Sequence, residues 1–289
     1  MSGAISVAWL DESQFAAWER FLDESPDASI YADPRYLSLL CDATGARFRI
    51  LAAFRGGQIV GGIPLYERED RVGRYVAPRS LLYYNGPVLA RSSSRQPSER
   101  TSFTIRVLTA LQEALEETPY VHLRFKARST LHDLRPFLSA GWSASPAYTY
   151  VVGFSDPSQA WKRIEGNFRR LVKRCDKSGF RCVEDEDFDS FFELHEETHR
   201  RKQAPLYLPR ERFAGLFRGL REHSLCRLFH ARDDSGRVAA TQLVLLGPGP
   251  VTHTACAATA ADALKSGATV FLRWKVFESL SQAGFEAND

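Results

Sequence analysis

Phe48 to Tyr66 reads FRILAAFRGGQIVGGIPLY, and Arg227 to Leu245 reads RLFHARDDSGRVAATQLVL. At an offset of 178 residues and without a gap, Ile50 meets Leu228, Ala53 meets Ala231, Val60 meets Val238, Gly61 meets Ala239 and Leu65 meets Leu243. Each stretch is an apolar run, a turn built on Gly or on Asp-Asp-Ser-Gly, and a second alternating apolar run. That is the pattern of a β-hairpin. After each hairpin a helical pattern runs into a strand, through Leu111, Leu115 and Tyr120 in the first half and Val276, Leu280 and Phe285 in the second. The order hairpin, strand, helix, strand therefore occurs twice. It predicts a duplicated α/β fold with mixed sheets and a cleft between the copies, where ligands tend to bind.

The chain has 289 residues, a length that suits about two domains. Lys and Arg total 38 against 35 Asp and Glu, and a net charge of +3 alone does not imply nucleic acid. Five cysteines (Cys41, Cys175, Cys182, Cys226, Cys256) have no CxxC spacing, so neither a disulfide framework nor a zinc ribbon is expected. The N-terminus lacks the basic and apolar regions of a signal peptide, and no apolar run is long enough to span a bilayer. The expected location is the cytoplasm.

In the first half, Ile5 to Leu10 reads as a strand and Glu12 to Leu22 as an amphipathic helix capped by Asp11 or Ser13. A helix from Pro34 to Cys41 precedes the hairpin. Strands are expected at Ser80–Leu89, Tyr120–Phe125 and Tyr148–Phe154, with helices at Ser102–Glu117 and Leu131–Ala140. The seam falls at Ser155-Asp156-Pro157, giving domains 1–154 and 155–289. A single helix follows, with Trp161, Ile164, Phe168, Leu171, Val172 and Cys175 as its apolar stripe. Gly166 inside it costs about 1 kcal/mol relative to Ala. The second domain continues with a strand at Phe180–Val183, helices at Phe188–Lys202 and Arg210–His223, a strand at Thr252–Ala257 and a helix at Thr269–Gln282. A last strand begins at Phe285, so the second copy reads as cut short.

Three features could carry chemistry. On the helix that opens the second domain, Arg163, Arg170, Lys173, Arg174 and Lys177 lie opposite the apolar stripe, flanked by Lys162 and Arg169. Only Glu165 and Asp176 offset them. A solvated face is the plain explanation of such a run, but a stripe of this sign also suits the phosphates of a nucleotide or of a tRNA acceptor stem. Second, His195-Glu196-Glu197-Thr198-His199 matches the H-E-x-x-H zinc pattern. Lys202 and Pro205 stand where the extended zinc motif has Gly and a third His, and the histidines share their face with Phe188, Phe191 and Phe192, so a zinc hydrolase is the lesser reading and no metal is expected. Third, Asp262 to Ala268 enters the C-terminal helix, and the start of a helix can bind an anion.

Several short motifs, taken in order, resemble the Fem family of aminoacyltransferases, in which two GNAT-like domains are fused. They are Tyr84-Asn85-Gly86-Pro87-Val88-Leu89; Asn167-Phe168-Arg169-Arg170 through Lys177-Ser178-Gly179; Glu197-Thr198 through Arg201-Lys202, Pro205 and Phe213; and Lys265-Ser266-Gly267-Ala268, Trp274 and Gly284-Phe285 through Asp289. One departure stands out: Asn85 replaces the family's frequent Arg. Separately, Leu264 stands where acetyl-CoA-dependent GNAT enzymes place Gln or Arg, so the coenzyme A signature is poor. The resemblance implies two tandem GNAT-like domains and transfer of an aminoacyl or acyl group to an amine without a metal or a cofactor. It implies an aminoacyl-tRNA-like donor and an amine acceptor such as a peptidoglycan precursor, hence a role in cell wall biogenesis. The alternative on the same scaffold is an acetyl-CoA-dependent N-acyltransferase, with acyl-CoA as co-substrate. Arg169, Arg170, Lys173, Arg174, Lys265 and Gly267 are the expected donor-phosphate residues. Tyr84, Arg201 and Lys202 are placed near the acceptor, and Trp274 is expected to shape the cleft. The resemblance singles out no general base.

Overall fold

The computed structural model describes residues 4–289. The chain forms two compact units that divide between Ala147 and Tyr148. The division comes before the Ser155 seam because the residues just after it pair with the second sheet.

The first unit runs β1 (Ser6–Trp9), α1 (Phe15–Glu24), α2 (Pro34–Thr44), β2 (Arg47–Arg55), β3 (Gln58–Glu69), β4 (Arg74–Val76), β5 (Val88–Leu89), α3 (Pro97–Glu116), β6 (His122–Leu123) and α4 (Arg135–Ser139). Asp11 caps a 3-10 turn that leads into α1, and Asp33 with Pro34 opens α2. Strand order is β1-β2-β3-β4-β6, with β5 on β3; β4 and β6 are parallel and the other pairs antiparallel. Val107, Leu108, Leu111 and Leu115 of α3 share one buried cluster with Leu51, Ala53, Ile63 and Leu65 of the hairpin. Burying each such side chain stabilises the fold by about 1.5–3 kcal/mol.

The second unit runs β7 (Val152–Gly153), α5 (Pro157–Arg163), α6 (Gly166–Lys177), β8 (Arg181–Glu184), α7 (Phe188–Arg201), α8 (Arg210–Glu222), β9 (Cys226–Arg232), β10 (Val238–Leu245), β11 (Val251–Thr259), α9 (Ala268–Gln282) and β12 (Ala287–Asn288). Its order is β7-β12-β11-β10-β9-β8, with β11 and β12 parallel. The core gathers Phe154, Val172, Phe229, Ala240, Val244, Phe271, Leu272, Trp274 and Val276.

The two units share a run of elements, a strand, two helices and a hairpin (β1-α1-α2-β2-β3 and β8-α7-α8-β9-β10), followed later by a helix that leads to the second strand of a parallel pair. Each hairpin carries one bulge just after its turn, at Val60 and at Ala239. Registering the hairpins on their ladders corrects the gapless overlay. Ala53 still corresponds to Ala231, but Val60 now corresponds to Ala239 and Pro64 to Leu243, because the second turn is one residue longer.

Other expectations also change. The single helix expected from the seam to Cys175 is two helices. Ile164 and Glu165 adopt extended backbone (ψ 135° and 145°), so α5 stops and α6 restarts at Gly166. Gly166 is then the first residue of a helix, where it disrupts no interior turn. The break also takes Phe168 out of the apolar stripe and leaves it 40% exposed. The strand expected over Ser80–Leu89 is regular only at Val88–Leu89; Leu81 has φ 67° and turns the chain ahead of it. The strands expected at Tyr120–Phe125 and Tyr148–Phe154 shrink to two residues each, since their partners β4 and β12 are themselves short.

Candidate functional site

In the second unit, β11 ends at Thr259, and the chain then turns through Ala261–Ala263 before α9 begins at Ala268. Gly267 has φ 95°, a left-handed conformation that side chains rarely adopt. It lies against α6, where an added Cβ would stand 3.1 Å from the Cβ of Leu171. Ser266 Oγ accepts from the Ala268 N–H at 3.0 Å, and the Thr259 and Thr269 hydroxyls meet at 2.6 Å. The first-turn N–H groups of α9 lack acceptors within the helix. Together with the helix dipole, they favour an anion at this end.

Side chains from three other elements grip this loop. Arg174 of α6 donates through Nη2 to the carbonyls of Ser266 (2.5 Å) and Lys265 (3.2 Å). Glu197 of α7 accepts from the Ala261 N–H at 3.1 Å, and Arg201, 3.8 Å from that carboxylate, donates to the Thr259 carbonyl at 3.5 Å. Arg237, which opens the second hairpin strand, pairs with Asp262 at 2.6 Å. The loop is therefore held through its backbone and one acidic side chain, while Lys265 remains exposed.

The structure thus gathers Arg174, Lys265, Gly267 and Arg201 around one loop, although Arg201 is expected at the acceptor. On α6, Arg170 and Lys173 are exposed and Arg169 is half-buried. Lys202 is the exposed C-cap of α7. Trp274 is 7% exposed and packs on Trp161, ring centroids 4.8 Å apart.

The H-E-x-x-H histidines face an aromatic cage. His195 is buried against Phe191, Phe192 and Phe213, with the His199 ring 4.2 Å away. Burial, helped by His199, pushes the His195 imidazole down to about 4, so it is neutral at pH 7. His199 Nδ1 lies 2.8 Å from the Pro205 carbonyl and ties down the chain beyond α7. Among the described residues, no third His, Cys, Asp or Glu joins them to form a metal-binding group.

In the first unit, Tyr84 is half-buried, with its ring 5.9 Å from Tyr31 and the Lys126 ammonium 6.0 Å from its centre. Asn85 takes a structural role. Its amide donates to the Arg124 carbonyl and accepts from the Lys126 N–H, fixing the segment that follows β6.

Sequence reading passed over a buried polar chain in the second sheet. Gln242 donates to Thr254, Thr254 to Asn288 at 2.7 Å, and the Asn288 amide to Thr252 at 2.9 Å. On β12's other side, Asp289 accepts from Thr149 at 2.6 Å and sits 3.7 Å from His253. The alternation Thr252-x-Thr254 on a core strand was the available signal, because a buried hydroxyl needs a partner.

The second unit is a mixed α/β fold whose parallel pair, β11 and β12, flanks a loop that starts a helix. Residues 162–289, within the second unit, match the model of the acetyltransferase (GNAT) domain family, so this unit is a GNAT-like acyltransferase domain. In fold, the chain is similar to FemX (TM-score 0.73, 12% identity, 98% of this chain and 88% of that one). It is also similar to L-PGS from Bacillus licheniformis (TM-score 0.56, 13% identity, 96% and 74%). A C-terminal domain assigned to a lysylphosphatidylglycerol synthetase of Agrobacterium fabrum is similar too (TM-score 0.58, 12% identity, 96% and 78%). No curated protein matches the sequence. Among the described residues, no helix is long and apolar enough to cross a membrane.

Proposed function

We propose that the chain is built of two tandem GNAT-like domains and moves an aminoacyl or acyl group from a phosphate-bearing activated donor to an amine. The shared strand order and the equivalent bulges at Val60 and Ala239 support the duplication. One observation carries the donor site: the loop from Thr259 to Gly267 delivers the N-terminus of α9 beside the cations of α6. Arg170, Lys173 and Lys265 contact donor phosphates through charge-assisted bonds, and Arg169 supports them. In the transfer, the acceptor nitrogen attacks the acyl carbon and a C–N bond forms. The ester bond to the donor breaks, and the amine's proton ends on the released hydroxyl. Holding both reactants in place lowers the barrier by proximity.

The resemblance to the Fem family favours an aminoacyl-tRNA donor and a peptidoglycan-precursor amine, with Tyr84 and Lys202 on the acceptor side. The reading with acyl-CoA as donor is favoured by the GNAT domain match alone; the loop has Leu264 rather than Gln or Arg and a single Gly. Mass spectrometry after incubation with a mixed aminoacyl-tRNA pool, acyl-CoAs and candidate amines tests the two. An aminoacylated product that disappears on ribonuclease treatment supports the first. An acylated product formed only with acyl-CoA replaces it.

A further inference from the structure

We infer that Arg174, Glu197 and Arg201 are positioning residues that set the shape of the donor loop, rather than groups that touch the donor. The inference rests on the proposed donor site and reassigns Arg174 and Arg201 within it. The donor Nη2 of Arg174 is spent on two backbone carbonyls, Ser266 at 2.5 Å and Lys265 at 3.2 Å. Cys175, the next residue, leans its sulfur on the same Ser266 oxygen at 3.6 Å. At the other end of the loop, Glu197 takes the Ala261 N–H while Arg201 reaches the Thr259 carbonyl and the Thr198 hydroxyl.

The physical consequence follows from the polarity of these bonds. A peptide carbonyl and the following N–H point in opposite directions across the same plane. Drawing the carbonyls of Lys265 and Ser266 toward α6 turns the N–H groups of Ser266 and Gly267 away from it. The Ser266 N–H is taken up by the Ala263 carbonyl at 3.0 Å, which closes the turn ahead of Gly267. A guanidinium bound to the carbonyls also neutralises their negative ends, which would otherwise repel an anion at the start of α9. Leu171 and Cys175 of α6 pack against Gly267, so the turn sits directly on that helix. The grip therefore comes from two helices at once, α6 at the exit of the loop and α7 at its entry.

Hydrogen–deuterium exchange on the full chain tests the grip without any substrate, and steady-state kinetics tests its purpose. Arg174→Ala is expected to speed exchange of the segment 260–268 by about tenfold, with Arg174→Lys recovering part of the protection. Glu197→Ala is expected to expose the Ala261 amide, and Glu197→Gln, which keeps an acceptor oxygen, to restore it. With the donor identified by mass spectrometry, Arg174→Ala is expected to raise the KM for donor by about tenfold, with kcat and the KM for acceptor little changed. Exchange of 260–268 that stays at the wild-type rate in both alanine variants overturns the inference. So does an unchanged donor KM in a chain that does transfer. Faster exchange in a chain that transfers nothing leaves the grip standing and removes the transferase reading instead.

Discussion

Gly267 and Leu171 are packed closely: a Cβ on the glycine would lie 3.1 Å from the leucine Cβ and 3.2 Å from its Cδ2, tighter than ordinary van der Waals contact. The backbone at Gly267 is also left-handed, at φ 95°. Gly267→Ala should therefore destabilise the chain by about 2 kcal/mol, from strain and contact together. Thermal unfolding should show Tm lower by about 5 °C. Gly166→Ala is the control. It sits at the first position of α6 with open space around it, so its Tm should hold or rise slightly. Equal losses in both variants would mean that the close contact with Leu171 is not what Gly267 serves.

Gly86 meets a harder wall. A Cβ there would stand 2.8 Å from the Cα and 3.0 Å from the amide nitrogen of Ala127, and backbone cannot swing aside as a side chain can. Moving that segment would also disturb the bonds Asn85 makes to Arg124 and Lys126. Gly86→Ala should cost about 2–3 kcal/mol, read as a lower urea midpoint at unchanged m-value. A variant as stable as wild type would show that the Tyr84-to-Pro87 stretch is not pinned in this way.

The two hairpins were legible because a hairpin writes its period directly into the sequence, so Ile50 and Leu228 match in the sequence alone. The extra residue in the second turn was not, because a longer turn leaves the apolar alternation of both strands intact and shows only in the ladder. The break between α5 and α6 escaped for a related reason. Trp161, Ile164 and Leu171 keep helical spacing across two extended residues, and periodicity cannot register a change of direction. In the candidate site, the basic stripe and Gly267 were both visible as residue types, but their meeting was not. Arg174 binds carbonyls 91 and 92 residues away, and backbone carbonyls have no letter in a sequence.

His195 should make the fold sensitive to mild acid. Burial, then the neighbouring His199, holds its imidazole near 4, well below the usual 6.5, so the folded chain refuses a proton that the unfolded chain accepts. Stability from this residue is complete above pH 6.5 and is lost as pH falls toward 4, by about 2 kcal/mol. Burial lowers His230 as well, which adds to the same slope. The carboxylates held low by partners, such as Asp187 and Asp233, begin to lose stability only in more acid solution, since their pKa values lie below 3.8. Urea unfolding at pH 7.5, 6.5 and 5.5 should therefore report chiefly the histidines. His195→Leu, which keeps an apolar group among Phe191, Phe192 and Phe213, should flatten the slope. A slope that survives the substitution unchanged would assign the acid sensitivity elsewhere.

Arg170 and Lys173 separate binding from folding most cleanly, because both are exposed on α6 and neither contributes to its buried side, which is Val172 and Cys175. Reversing both to Glu should leave Tm within about 1 °C, as surface substitutions away from special features do. The effect should appear in donor binding. If these cations meet phosphates, the double variant should lose at least about tenfold in donor affinity, and its dependence on salt should become shallower by about one unit of slope per cation removed. The comparison with Arg174→Ala is the informative part. Arg174 acts through the backbone of Lys265 and Ser266, so its loss should weaken donor binding without changing the salt slope. A double reversal that leaves donor affinity intact would return the α6 stripe to an ordinary solvated face, and the donor site would then rest on the start of α9 and Lys265 alone.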